Sequence, residues 1–141
     1  MRDLMNNIHP VRAISPAAAV TDNTPFVSQV IDTLGFNSLT FVILTGALAD
    51  ADATFTALLE HGDASDLSDA ATVPDDLLIG TEALASFTFA DDNETRKLGY
   101  AGGKRYARLT VTPAGNSGNA FVAAVALLGH PNRAPTANPP T

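Results

Sequence analysis

The 141-residue chain has no cysteine and no tryptophan. Without cysteine, a disulfide scaffold, a thiolate zinc site and a cysteine nucleophile are excluded. Aromatic residues make up only 6% of the chain, and just two of them are tyrosines, Tyr100 and Tyr106. Carbohydrate clefts usually offer aromatic platforms, so this scarcity weighs against a glycosidase. Positive charge is scarce too. Eight Lys and Arg stand against fifteen Asp and Glu, and the net charge of −7 opposes binding to nucleic acid or to an anionic membrane. No apolar run approaches the roughly 20 residues of a membrane helix. Met1 to His9 lacks the apolar stretch of a signal peptide, which predicts a chain without a secretory leader. Hydrophobic residues reach 45% against 16% charged, enough to bury the core of one domain and too many for a wholly disordered chain.

Catalytic signatures are missing as well. There is no GxSxG, P-loop or GxGxxG motif. The three histidines, His9, His61 and His130, have no partner at metal-binding spacing. Asp63, Asp66 and Asp69 recur every third residue, but an EF-hand frame over 63–74 puts Ser68 where glycine belongs and Pro74 where the bidentate glutamate belongs. These carboxylates are therefore expected to be solvated loop groups. A serine triad or a carboxylate pair can be assembled on count alone, yet no nucleophile elbow frames any serine. The sequence predicts a protein that is not an enzyme and has no cofactor and no metal.

Residues 1–25 read as an extended N-terminal arm. Pro10, Pro16 and Pro25 remove backbone donors and bar helix interiors and central strands. Leu4, Met5, Ile8, Val11, Ile14 and Val20 give the arm more large apolar groups than a disordered leader carries. Such an arm is expected to adhere to a surface, with Val20 near the start of a first strand; a frayed terminus is the alternative.

From Phe26 the pattern turns to short strands. Residues 26–33 predict a strand and 34–37 a turn. Ser38–Leu44 is apolar on both faces, as a central strand is. Gly46–Asp52 reads as a hairpin connection into a strand over 53–60. The acidic stretch 61–80 reads as a long loop with a short helical turn near 66–71. Strands are predicted over 81–90 and 95–101, with a charged turn at 91–94 and a hairpin turn at Gly102-Gly103. In 104–112, Ala107, Leu109 and Val111 alternate with polar neighbours. After a loop at 113–118, residues 119–128 are nearly all apolar; their alanines would also suit a buried helix, but the short run between Gly118 and Gly129 favours a strand. Residues 131–141 form a Pro-rich tail. The expectation is an all-β fold, an antiparallel β-sandwich over 26–130 with a jelly roll as one form of it, flanked by arm and tail.

Charge is segregated along the chain. Twelve acidic residues and no Lys or Arg fall between Ala49 and Glu94. Arg96, Lys97, Lys104, Arg105 and Arg108 then follow with no acid among them. On a hairpin these five would form one positive patch, facing either the acidic loops of the same molecule or those of a neighbour.

The segment from Gly99 to Gly129, GYAGGKRYARLTVTPAGNSGNAFVAAVALLG, resembles a pattern in small proteins of tailed bacteriophages. There, a GY.G.KRYVR strand leads to a Thr/Val-rich strand, a loop and an apolar strand ending in Leu-Gly. The stretch Gln29–Ala57, with DT.GF.SLTFV and DADATFT, is similar to the same group. Together they cover about half the chain. The resemblance implies a virion structural protein of the head decoration (cement) type, encoded near the major capsid protein, with no catalytic residues. On that view the chain resides on the phage head surface. Leu4, Met5, Ile8, Val11 and Ile14 anchor the arm on the major capsid protein. Arg96, Lys97, Lys104, Arg105 and Arg108 meet acidic groups on a neighbouring subunit, so copies of the chain are a second partner, with neither nucleic acid nor membrane involved. A tail, fibre or head–tail subunit and a host-glycan-binding module of the virion are the alternatives.

Overall fold

Alternation in the sequence sets the core. Along the strand Tyr106–Ala114, Ala107, Leu109 and Val111 turn inward and are fully buried, and Phe55, Ala57 and Leu59 do the same on the neighbouring strand Thr54–Gly62. A computed structural model describes residues 1–140; of the expected tail, Thr141 lies outside the described residues. The strands in chain order are β1 (Ile8–Ile14), β2 (Phe26–Val27), β3 (Ile31–Asp32), β4 (Phe36–Leu48), β5 (Thr54–Gly62), β6 (Ala71–Thr72), β7 (Leu78–Ile79), β8 (Phe87–Thr88), β9 (Thr95–Tyr100), β10 (Tyr106–Ala114) and β11 (Ala120–Pro131). One short helix, α1 (Glu82–Ala85), precedes β8. One sheet has the order β1-β11-β4-β9-β7. The other has the order β2-β10-β5-β6, with β3 also on β10 and β8 also on β5. The fold is the expected antiparallel β-sandwich.

Several local expectations are corrected. Residues 46–52 and Gly102-Gly103 do not close hairpins, because β4 and β9 lie in one sheet and β5 and β10 in the other. Each pair buries an apolar face, and placing them in opposite layers lets those faces meet across the core instead of lying side by side. The strand predicted over 26–33 is split in two. Ser28 interrupts it: its hydroxyl accepts the Leu109 N–H at 3.0 Å and donates to the Gln29 carbonyl at 2.7 Å. The strand predicted over 81–90 is broken into α1 and the two-residue β8; α1 is started by Thr81, whose hydroxyl accepts the Leu84 N–H at 3.1 Å. This segment covers an open stretch of β5: Ser86 Oγ accepts from the Ala57 N–H at 3.0 Å and Glu82 Oε1 from the Leu59 N–H at 2.8 Å. Residues 65–69 form turns, Ala71 begins β6, and the 3-10 turn of the acidic stretch lies at Asp75–Leu77.

The arm is partly built into the sandwich. Residues Ile8–Ile14 form β1, paired with β11 from Ile8↔Gly129 to Ile14↔Ala124. The tail folds back over it, with the Thr136 N–H donating to the Asn6 carbonyl at 3.0 Å and the Thr136 hydroxyl to the Ile8 carbonyl at 2.5 Å. The sheet edges are blunted. Pro10 removes a donor from β1, a bulge interrupts it between Arg12 and Ile14, and β6 and β7 are two residues long. Such edges discourage strand-to-strand association, so the faces are left as contact surfaces.

Loop carboxylates act as backbone acceptors. Asp32, Asp50, Asp69 and Asp91 are each held below the ordinary aspartate value of 3.8. The main causes are the Arg105 side chain for Asp32, the Ser117 hydroxyl for Asp50, and the backbone N–H groups of Asp63 for Asp69 and of Thr88 for Asp91. A carboxyl depressed on folding binds fewer protons in the native state than in the unfolded one. Its contribution is complete above the unfolded value and is lost as pH falls through the lower folded value. Thermal melts are expected to hold steady from about pH 7 to 5 and to fall below about pH 4. A melting temperature that rises on acidification below that point contradicts this.

Candidate docking face

The outer faces of the two sheets differ in chemistry. On β5 and β10 the outward residues are mostly polar, Thr54, Thr56, Thr110 and Thr112 with the cross-strand pair Glu60–Arg108 bonded at 2.8 Å, beside Leu58 and Tyr106 and with Val27 of β2 next to Thr110. This is the polar solvent face usual for an antiparallel sheet. On the five-stranded sheet, the two-residue period that buries Leu39, Phe41 and Ile43 turns Thr40, Val42 and Leu44 outward. On β11 it turns Phe121, Ala123, Val125 and Leu127 outward. Leu44 is 53% exposed, Val125 40%, Phe121 39% and Ile79 63%. None of the five strands of this sheet contains an Asp or Glu.

Register fixes how these side chains line up. Arg12 lies opposite Val125, Val125 opposite Val42, and Val42 opposite Lys97, so one row crosses four strands with a cation at each end. The next row runs from Pro10 through Leu127, Thr40 and Gly99 to Ile79. Two glycines keep the surface low. A Cβ on Gly99 would lie 2.9 Å from the Ile79 Cβ, and one on Gly46 would lie 3.0 Å from the Phe121 Cβ. Their bare backbones let Ile79 and Phe121 lie across the neighbouring strands. Arg2 and Leu4 of the arm wall a groove of about 630 Å³ whose floor includes Thr40, Val42 and Leu127 and which Lys97 also lines.

The structure separates the residues singled out from the sequence. Of the arm, Ile14 is buried and Val11 packs against the core, so both are taken up within the molecule. Leu4 and Met5 are exposed at 66% and 60%, and Ile8 is half-buried. The five basic residues form no single patch, because Arg96 and Lys97 lie on β9 and Arg108 on β10, in opposite sheets. Arg96 binds Asp91 at 2.8 Å and Glu94; Lys104 binds Asp63; Arg105 binds Asp32 at 2.8 Å; Arg108 binds Glu60. Acidic groups of the same molecule thus pair with four of the five, from loops for Arg96 and Lys104 and from strands β3 and β5 for Arg105 and Arg108. Lys97 makes no ion pair among the described residues. Sequence reasoning missed Val42, Leu44, Phe121 and Val125, although the two-sided apolarity of residues 38–44 and 119–128 was their signal, and it missed Ile79, which lies within the acidic stretch 61–80 and carried none.

The histidines are dispersed. His9 stacks on Phe36 with ring centroids 5.4 Å apart, and His130 Nδ1 lies 3.0 Å from the Ser38 hydroxyl. Buried His61 meets the Tyr100 hydroxyl at 2.9 Å, and burial raises the Tyr100 pKa. Asp69 accepts the Asp63 and Ala64 N–H groups, and Asp66 accepts that of Ser68, so the spaced aspartates organise their own loop. Among the described residues, no group of three or more His, Cys, Asp or Glu is placed to hold a metal ion. A cleft of about 480 Å³ is lined by Leu34, Phe36 and Tyr100 together with Asp63, Lys104 and Arg105, and its charged groups are already ion-paired. Among the described residues, no helix is long and apolar enough to cross a membrane.

No family model matches the chain, and no curated protein matches it in sequence. Solved structures share its fold. One is the Clostridium thermocellum endo-1,4-β-D-xylanase 10B in its CBM22-1 and GH10 modules complexed with xylohexaose, at 11% identity and a TM-score of 0.51, covering 95% of this chain and 28% of that one. Another is the SPBc2 prophage-derived protein YomS, at 14% identity and a TM-score of 0.47, covering 90% of this chain and 98% of that one. A third is the C-terminal family 22 carbohydrate binding module of the same xylanase, at 11% identity and a TM-score of 0.41, covering 92% and 99%. This chain spans only 28% of the first of these. At such identity the likeness to the xylanase establishes the architecture, a two-sheet antiparallel β-sandwich.

Proposed function

We propose that this protein is a non-enzymatic decoration (cement) protein of a tailed-bacteriophage head, which binds the outer surface of the major capsid protein lattice and stabilises it. The observation that carries the reading is the uncovered apolar outer face of the five-stranded sheet. Contiguous exposed apolar surface of this kind marks association surfaces, and here it belongs to a chain whose sequence resembles small phage virion proteins. Leu4, Met5 and Ile8 extend the contact from the arm, and Lys97 borders it. Each apolar side chain contributes about 1.5–3 kcal/mol when fully buried, and many copies on a symmetric lattice add avidity. Copies of the chain then sit side by side on the phage head. A host-glycan module is supported less well, since the exposed face carries one aromatic ring, Phe121, and no tyrosine.

Co-sedimentation with undecorated capsids tests this. Saturable binding is expected, and deletion of residues 1–6, which spares β1, is expected to weaken it about tenfold through loss of Leu4 and Met5. No saturable binding by the intact chain overturns the decoration role and redirects attention to tail structures and glycans.

A further inference from the structure

We infer that the outer face of the five-stranded sheet docks on a protein surface with an apolar centre and a rim of carboxylates, and that it does not pair with the same face of a second copy. The identity of that surface as capsid rests on the decoration reading; its chemistry rests on charge. Of the eight Lys and Arg, Arg96, Lys104, Arg105 and Arg108 are ion-paired within the molecule. Among the described residues Arg2, Arg12, Lys97 and Arg133 are not, and three of these four border the apolar face. A chain of net charge −7 has thus gathered its unpaired cations around the one sheet that has no carboxylate in its strands.

The row Arg12–Val125–Val42–Lys97 decides against self-pairing. Two identical faces meet about a two-fold axis lying in the interface. An axis along the strands, midway between β11 and β4, places Arg12 over Lys97 of the other copy. An axis across the strands places Arg12 over Arg12 and Lys97 over Lys97. Either arrangement sets cation against cation at both ends of a desolvated row, with no carboxylate in the sheet to relieve it. A partner supplying carboxylates at those two positions, about 14 Å apart at three strand spacings, satisfies both ends.

The charge pattern makes the test a gain of function as well as a loss. Sedimentation velocity is run on wild type, Lys97→Glu and Lys97→Glu/Val125→Asp. Capsid pelleting is run on wild type, Arg12→Glu, Lys97→Glu and, as control, Arg133→Glu, across a salt series. Wild type is expected to be monomeric. Lys97→Glu is expected to dimerise, because the introduced carboxylate then faces Arg12 of the other copy, and adding Val125→Asp is expected to abolish the dimer. Arg12→Glu and Lys97→Glu are each expected to weaken capsid binding at least tenfold, Arg133→Glu less than twofold, and rising salt is expected to weaken wild-type binding. A wild-type dimer dissolved by Val125→Asp overturns the inference, as does capsid binding indifferent to both reversals and to salt. If wild type does not pellet with capsids, the decoration reading falls, and sedimentation alone decides the face: a Lys97→Glu dimer supports the inference and a Lys97→Glu monomer overturns it.

Discussion

Val125→Asp is expected to lower capsid co-sedimentation by at least about 100-fold while the fold stays intact. Val125 sits at mid-row between Arg12 and Val42 with its side chain turned out and 40% exposed. An aspartate there removes apolar contact and forces a carboxylate into a surface that itself presents carboxylates. Burying an unpaired charge costs several kcal/mol, which exceeds what one lost valine contact accounts for. In the free protein the same aspartate is solvated, so the loss is limited to strand propensity, about 1 kcal/mol or less. The melting temperature is then expected to fall by no more than about 4 °C. Thr112→Asp, on the polar outer face of the other sheet, is the matched control and is expected to pellet as wild type does. Equal pelleting of Val125→Asp and wild type removes this face from the contact.

The largest expected effect on stability comes from Phe41→Ala. Phe41 is fully buried near the middle of β4, paired with Ala126 on β11 and Leu98 on β9. The inward residues of β11 include Ala120, Ala124 and Ala126, so much of the core volume on this side comes from large side chains of β4. Small neighbours held in a hydrogen-bonded ladder cannot collapse into the space left by a phenyl ring. Removal of a buried Phe is expected to cost about 3–5 kcal/mol, a large share of the roughly 5–15 kcal/mol that holds such a domain together. At about 3–4 °C per kcal/mol, the melting temperature falls by roughly 10–20 °C. A loss under about 1 kcal/mol in chemical denaturation would mean that β4 does not pack as described.

The sandwich is legible in the sequence because its long strands carry the alternation of one-sided burial. Ala107, Leu109 and Val111 stand out by that alternation, and all three are fully buried. The layer assignment is not legible. Gly102-Gly103 carries a turn signal whether the chain returns beside its own strand or crosses to the opposite sheet, and the choice depends on pairings such as Leu39↔Tyr100 and Arg108↔Glu60, far apart in sequence. Thr81–Ala85 misleads because its β-like neighbours Phe87 and Thr88 mask a helix cap whose segment serves to cover β5. The docking face is legible in outline and misplaced in detail. Residues 38–44 are apolar on both sides, as the sequence suggests, but a central strand implies a cover on both sides, and the described chain covers one. The charge block fails differently: sequence adjacency puts Arg96 and Arg108 together, whereas the sandwich separates them and hands each to a local acid.

β11 has a further consequence through its position. It pairs on one side with β1, where Gly129 meets Ile8, and on the other with β4. A strand late in the sequence thus occupies the inside of its sheet, and β1 has no partner until residues 120–131 have been synthesised. Closure over such separations makes folding slow, on the order of milliseconds to seconds. Until then β4 emerges with apolar side chains on both sides and neither of them shielded. Truncation before residue 120 removes the strand that joins β1 to β4 and is expected to yield an aggregating fragment instead of a smaller folded one.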